Sequence, residues 1–191
     1  SKSGGYTNGE WQTVVFNNRL YLCNGVDNAQ VYSGAPATPA ADLTFTGVAL
    51  SSLVAPTAYR ARLYFIEKGT SKVWYGGFQV TGTAATPALS SFDFSYVFKL
   101  GGFLTAIGTF SSTIAATTQE FFWAMSSEGE IVFYTGTAPS ETDWTIVKSA
   151  SIGKPLGRRA SIQVNNDVWI ITAQGIVPLS ALFNTDPVVA I

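Results

Sequence analysis

Four times along this chain a short β-branched or aromatic run is followed by a glycine-containing turn and a second run of the same kind. The first copy sets Arg19-Leu20-Tyr21-Leu22 against Gln30-Val31-Tyr32-Ser33-Gly34 across Asn24-Gly25. In the second, Arg62-Leu63-Tyr64-Phe65 faces Lys72-Val73-Trp74-Tyr75-Gly76 across Lys68-Gly69-Thr70. The third sets Phe121-Phe122-Trp123-Ala124 against Ile131-Val132-Phe133-Tyr134-Thr135-Gly136 across Glu128-Gly129. The fourth sets Asp167-Val168-Trp169-Ile170-Ile171 against Ile176-Val177-Pro178-Leu179-Ser180 across Gln174-Gly175. Runs of this composition suit half-buried antiparallel hairpins and suit helices poorly. The equivalent aromatics Tyr21, Tyr64, Trp123 and Trp169 recur at intervals of 43, 59 and 46 residues, close to the roughly 40–50 residues of a propeller blade. The long interval requires an insertion, and the Ser/Thr/Ala stretch 111–119 is the candidate.

Short apolar strands precede the hairpins at Thr13-Val14-Val15-Phe16, Leu104-Thr105-Ala106-Ile107 and Ser161-Ile162-Gln163-Val164, with only Pro56-Thr57-Ala58-Tyr59 in the second unit. Asn17-Asn18 and Asn165-Asn166 follow two of them as natural turn residues, because Asn tolerates positive φ. Downstream runs Leu43-Thr44-Phe45, Phe92-Asp93-Phe94 and Trp144-Thr145-Ile146-Val147 can supply an outer fourth strand. Pro-, Gly-, Thr- and Ala-rich segments between them read as surface loops, so 1–191 is expected to be one repeat domain with no linker. The fold class expected is all-β: a β-propeller or partial propeller of about four blades built from antiparallel hairpins. A β-sandwich is the alternative, since short regular strands serve both architectures. The last unit runs out after Ser180, so its blade is either completed from elsewhere or incomplete.

Charged residues make up only 12% of the chain against 47% apolar, and the net charge is −1. A surface of Ser, Thr, Gly and Asn follows, and steering of nucleic acid by a basic patch is not indicated. Cys23, the single cysteine, reads as a buried small side chain. No apolar run approaches the roughly 18 residues of a membrane span, and the start Ser1-Lys2-Ser3-Gly4-Gly5 does not read as a secretory leader. The chain is expected to be soluble and, lacking an initiator Met, to be a piece of a longer protein.

The absence of histidine removes Ser-His-Asp and Cys-His nucleophiles and the commonest general base. Paired carboxylates could serve glycoside hydrolysis, with Glu128 and Glu130 or Glu141 and Asp143 as candidates, yet the first pair flanks the Gly129 turn and reads more simply as a solvated turn. Asp27, Asn28 and Asp42 do not meet the spacing of a calcium loop and read as turn residues. Trp11, Trp74, Tyr75 and Trp144 could stack on sugars in a lectin, although repeat aromatics ordinarily pack blade on blade. No catalytic residue, metal ligand or cofactor is expected. Lys154, Arg158 and Arg159 form the one local basic cluster and are the candidate interface residues.

That cluster lies in Gly153-Lys154-Pro155-Leu156-Gly157-Arg158-Arg159-Ala160, which leads into Asn166-Asp167-Val168-Trp169-Ile170-Ile171-Thr172 and Gln174-Gly175-Ile176-Val177-Pro178-Leu179-Ser180. This stretch resembles tailed-phage neck and tail proteins, in which a Gly-Arg-Arg element precedes an apolar strand and a Gly-ending turn leads into Val-Pro-Leu-Ser. The whole pattern is similar to tail hub, nozzle and tail tubular proteins with propeller domains. The resemblance implies a non-enzymatic virion protein: a head-to-tail connector or tail component surrounding the DNA channel, made in the host cytoplasm. It further implies other neck and tail proteins as partners, a homo-oligomeric and commonly six-fold ring in the full-length protein, and at most non-specific DNA contact. A carbohydrate-binding propeller and a glycoside hydrolase are the alternative functions.

Overall fold

The computed structural model describes residues 5–35, 40–83, 86–114, 117–165 and 167–184. Its fold is all-β, with four separate antiparallel sheets that are the blades of a propeller. Each sheet is a simple meander, so each strand pairs with its sequence neighbour and no strand crosses between sheets. That pattern replaces the two stacked sheets of the sandwich alternative. Chain contacts divide the molecule into two compact units, Ser1–Asp93 and Phe94–Ile191, with two sheets in each.

In the first unit, β1 (Gln12–Phe16), β2 (Arg19–Cys23), β3 (Gln30–Tyr32) and β4 (Ala41–Asp42) form one sheet. The second contains β5 (Leu53–Tyr59), β6 (Arg62–Glu67), β7 (Lys72–Tyr75) and β8 (Ser90–Asp93). Strand alternation sends Phe16, Tyr21 and Cys23 inward, where they pack with Leu53, Leu63 and Phe65 of the second sheet. The turn between β1 and β2 holds Asn17 and Asn18 at φ 46° and 56°, as their residue type predicts. Arg60 and Ala61 do the same work between β5 and β6 at φ 45° and 55°, without a residue type that favours the left-handed region. A bulge separates Val54 from Thr57, and the N–H of its residue Ala55 donates to Gln12 Oε1 at 3.1 Å, so the interrupted ladder leaves that donor satisfied.

The second unit contains β9 (Leu104–Ile114), β10 (Thr117–Ser126), β11 (Glu130–Thr135) and β12 (Thr145–Ser151) in one sheet. The last sheet has β13 (Ser161–Val164), β14 (Asp167–Thr172) and β15 (Gly175–Pro178), followed by the short helix α1 (Leu179–Asn184). Phe121, Trp123 and Met125 of β10 pack with Val168 and Ile170 of β14 and with Leu179 of α1. The sequence expectation of an insertion at 111–119 resolves into a lengthened β9–β10 ladder, paired without interruption from Ile114↔Thr117 to Phe121↔Phe110. Residues 36–39, 84–85, 115–116 and Asn166 lie outside the described residues.

Leu43-Thr44-Phe45 corrects one expectation: the outer strand β4 ends just before it, and Leu43 and Phe45 are instead core residues. Leu43 N–H bonds Ala29 O and Thr44 N–H bonds Gly82 O, which turns the run inward. Phe94 likewise leaves the strand for a single 3-10 turn, Phe94–Tyr96, and is buried. Among the described residues the last sheet has no fourth strand.

Each hairpin between second and third strands closes on the residue three places beyond the repeat aromatic. Asn24, Ser126 and Thr172 occupy that place, all buried. Asn24 Oδ1 accepts the N–H groups of Val26 and Asp27 at 3.0 and 2.8 Å, and Ser126 Oγ accepts those of Glu128 and Glu130, both at 3.2 Å. Thr172 Oγ1 accepts the N–H of Gln174 at 3.2 Å and donates to Gly175 O at 3.0 Å. One short buried side chain at the end of the strand thus satisfies backbone donors of the turn that follows. Glu67 stands there in the second sheet and accepts from Trp74 Nε1 at 2.9 Å.

Gly108 stands directly opposite Trp123 in the β9–β10 ladder, and a Cβ there would lie 2.7 Å from the indole. Because Trp123 is buried and cannot move aside, Gly108→Val is expected to destabilise the second unit by about 1–3 kcal/mol in denaturant melts. Ala61→Gly relieves a left-handed residue and is expected to stabilise the first unit by about 1 kcal/mol in the same measurement.

Candidate interaction surface

A middle strand covered on both sides reads as a continuous apolar run, and one covered on a single side alternates. In β6, Leu63, Tyr64, Phe65 and Ile66 are all fully buried, and in β10 the run from Phe121 to Met125 is buried throughout. β14 differs, with Val168, Ile170 and Thr172 buried while Trp169 and Ile171 are 39% and 41% exposed. Trp169 stands opposite Ile162 on one side and Pro178 on the other, and Ile171 stands opposite Ile176. Ile162 and Ile176 are 59% and 60% exposed. These five side chains therefore share one uncovered, uncharged face of a three-stranded sheet. An apolar face of this kind on a folded surface marks an interaction site.

The loop carrying the predicted basic cluster borders the same strand. Pro155 bridges Thr172, Ala173 N–H donates to Lys154 O at 2.8 Å, and Leu156 N–H donates to Ile171 O at 3.1 Å. Ile171 N–H in turn donates to Ala160 O at 2.7 Å. The backbone of 154–160 is thus pinned along β14, which fixes the loop that carries Lys154, Arg158 and Arg159. Arg158 is half-buried and Arg159 exposed. Lys154 Nζ lies 2.6 Å from Glu128 Oε2, on the turn of the preceding sheet. Gly129 makes this approach feasible: a Cβ on it would lie 2.4 Å from the Gly153 carbonyl. The ion pair is exposed and contributes at most about 1 kcal/mol, so it orients the loop more than it stabilises it. At the far end of β14, Asp167 accepts from Ser180 N–H at 3.0 Å and Ser180 Oγ at 2.6 Å, tying α1 to the sheet.

The other sequence candidates are held in local contacts. Glu130 accepts from Leu100 N–H at 2.5 Å, Asp143 from Thr137 Oγ1 at 2.7 Å and Glu141 from Ser140 Oγ at 3.2 Å. Trp144 stacks on Tyr134 with ring centres 4.8 Å apart, Tyr75 stacks on Tyr64 at 5.6 Å, and Trp11 meets Tyr6 edge-on at 4.9 Å. Among the described residues no three His, Cys, Asp or Glu side chains gather as metal ligands, and no helix is long and apolar enough to cross a membrane. Cys23 is fully buried, and burial pushes its thiol pKa up. Trp169 is the residue that sequence reasoning misplaced. Its strand reads like its repeat equivalents, and nothing in its own residues marks this face as exposed.

Asp27 clamps the N-terminal segment: it accepts from Thr7 N–H and Oγ1, from Asn8 N–H and from Asn24 Nδ2. Asn28 Nδ2 and Gln30 Nε2 both bond Asp42, so these acids serve the turn and the sheet edge.

No protein-family model matches the chain, and no curated protein matches it. Among solved structures, YCF48 bound to a D1 peptide is similar over 86% of this chain, with 13% identity and a TM-score of 0.47. The chain spans 47% of the length of that structure.

The hydrogen bond from Asn24, joined by those from Thr7 and Asn8 against the opposing effect of burial, holds the Asp27 carboxyl at about 2, below the ordinary value near 3.9. Its contribution to folding is therefore fully present above about pH 4 and is lost as the pH falls through about 2. The protection of the Thr7 and Asn8 amides, taken relative to intrinsic exchange at each pH, is expected to fall over that window, and Asp27→Asn is expected to abolish the step.

Proposed function

We propose that this chain belongs to a structural, non-enzymatic protein of a tailed-phage particle, a head-to-tail connector or a tail hub or nozzle component around the DNA channel. One observation carries the reading. The stretch that resembles neck and tail proteins, residues 153–180, is also the stretch that forms the basic loop, β13–β15 and the start of α1, and so the uncovered face itself. An uncharged aliphatic and aromatic centre is the make-up of the core of a protein–protein contact. The resembling residues are thus interface residues, with no chemistry to perform. Other neck and tail proteins and further copies of the chain are the partners on this reading, and the virion is its location. Because Lys154 already meets Glu128, DNA contact is at most non-specific.

Mass spectrometry and cryo-EM of purified particles encoding the full-length protein test the proposal. The expected result is a neck or tail ring, six-fold in symmetry, that contains these sheets. A protein absent from the particle overturns it, and binding on a glycan array would move the assignment to sugar recognition.

A further inference from the structure

An asparagine followed by glycine can react with its own backbone, because no side chain on the second residue hinders ring closure. The chain has two such pairs, Asn8-Gly9 and Asn24-Gly25. The first unit joins them, since Asn24 Nδ2 donates to Asn8 O at 2.8 Å. Their surroundings are opposite. Asn24 and Gly25 are buried, and the Asn24 amide is held at both ends: Oδ1 accepts two backbone N–H groups, while Nδ2 donates to Asn8 O and to Asp27 Oδ2. That side chain reaches the Gly25 nitrogen only if the turn opens. Asn8 is half-buried and Gly9 exposed. Among the described residues the Asn8 amide makes one hydrogen bond, accepting the Glu10 N–H on Oδ1 at 3.0 Å. This bond folds the side chain back over the Asn8–Gly9 peptide and aims a donor at the oxygen on which negative charge grows during attack. A Cβ on Gly9 would meet nothing within 4 Å, so a ring has room to form and water has room to enter.

We propose that Asn8 is a site of spontaneous covalent modification whose reaction releases the N-terminal segment from the first sheet. The deprotonated Gly9 nitrogen bonds to Asn8 Cγ, the bond from Cγ to the side-chain nitrogen breaks, and ammonia leaves, carrying the proton that the peptide nitrogen gave up. A five-membered succinimide remains. Water then opens it at either carbonyl. Opening at Cγ gives aspartate at position 8 on an unchanged backbone. Opening at the main-chain carbonyl gives isoaspartate: the backbone now runs through Cγ, one atom longer, and the former main-chain carbonyl becomes a free carboxylate. That carbonyl is the group Asn24 holds, and Asp27 beside it already binds Asn24 Nδ2 and the Asn8 N–H. Two carboxylates at one point repel, and the longer backbone no longer matches the clamp. The site therefore acts as a slow one-way release. It goes beyond the particle reading and does not depend on it.

The test incubates the folded 191-residue chain in mildly alkaline buffer and locates the mass gain of amide-to-acid exchange by peptide mapping. Modification is expected at Asn8, as aspartate and isoaspartate together, with Asn24 reacting at least about a hundredfold more slowly because local opening must come first. In urea the difference is expected to vanish. Gly9 has no positive φ and open space around it, so Gly9→Ala is expected to melt like the unaltered chain while slowing reaction at Asn8 by about tenfold or more, through crowding at the attacking nitrogen. The isoaspartate form, separated by ion exchange, is expected to lose protection of the Thr7 amide, which donates to Asp27. Four results overturn the inference: Asn24 reacting as fast as Asn8 in the folded chain, Asn8 staying intact there while it reacts in urea, a difference between the two sites that persists in urea, or a Gly9→Ala chain that reacts at the unaltered rate. An isoaspartate form whose Thr7 amide stays protected overturns the release.

Discussion

Cohesion in each unit rests on one sheet laid face to face on the next, with the middle strands supplying the largest side chains. Tyr21 and Cys23 meet Leu63 and Phe65 in the first unit, and Phe121, Trp123 and Met125 meet Val168 and Ile170 in the second. Short strands held only by ladder hydrogen bonds are marginal in water, so it is the buried face that makes each meander a stable sheet. The other features serve that contact. Gly108 makes room for the Trp123 indole, and Gln12 satisfies the bulge that lets β5 bend beside the first sheet.

Turn chemistry is the second recurring device, and it works beneath the hydrophobic one. Asn24, Ser126 and Thr172 are polar and buried, a combination that is costly unless every donor and acceptor nearby is matched. Their placement beyond the aromatic lets one side chain finish the strand and begin the turn. Glu67 shows how the position varies when the turn is longer, since its carboxylate reaches Trp74 across the hairpin while Thr70 Oγ1 takes the Lys72 N–H.

Much of this was legible in the residues. The hairpins, Ser161–Val164 and the Asn17-Asn18 turn are visible because β-branched and aromatic runs, and Asn at positive φ, are local preferences. Arg60-Ala61 was not visible, because its left-handed turn is imposed by the sheet and runs against preference. Leu43 and Phe45 misled, since an alternating apolar run can face a core from a connecting segment as readily as from a strand. The exposed last face was not legible, because Trp169 and Ile171 would look the same with a neighbouring sheet or without one, and the strand count after Ser180 speaks only of the sheet's edge. The loop of Lys154, Arg158 and Arg159 was recognisable as basic, whereas its attachment to Glu128 and β14 depends on backbone approaches that composition does not encode.

Burial of Cys23 has a practical side. The chain has no second thiol, and this one sits in the core of the first unit, fully enclosed, with its proton held tightly by the apolar surroundings. Since only an exposed thiolate reacts at a useful rate, an alkylating reagent can reach it only while the first two sheets are apart. The rate of labelling is then a built-in clock for opening of the core of residues 1–93, and it needs no engineered probe.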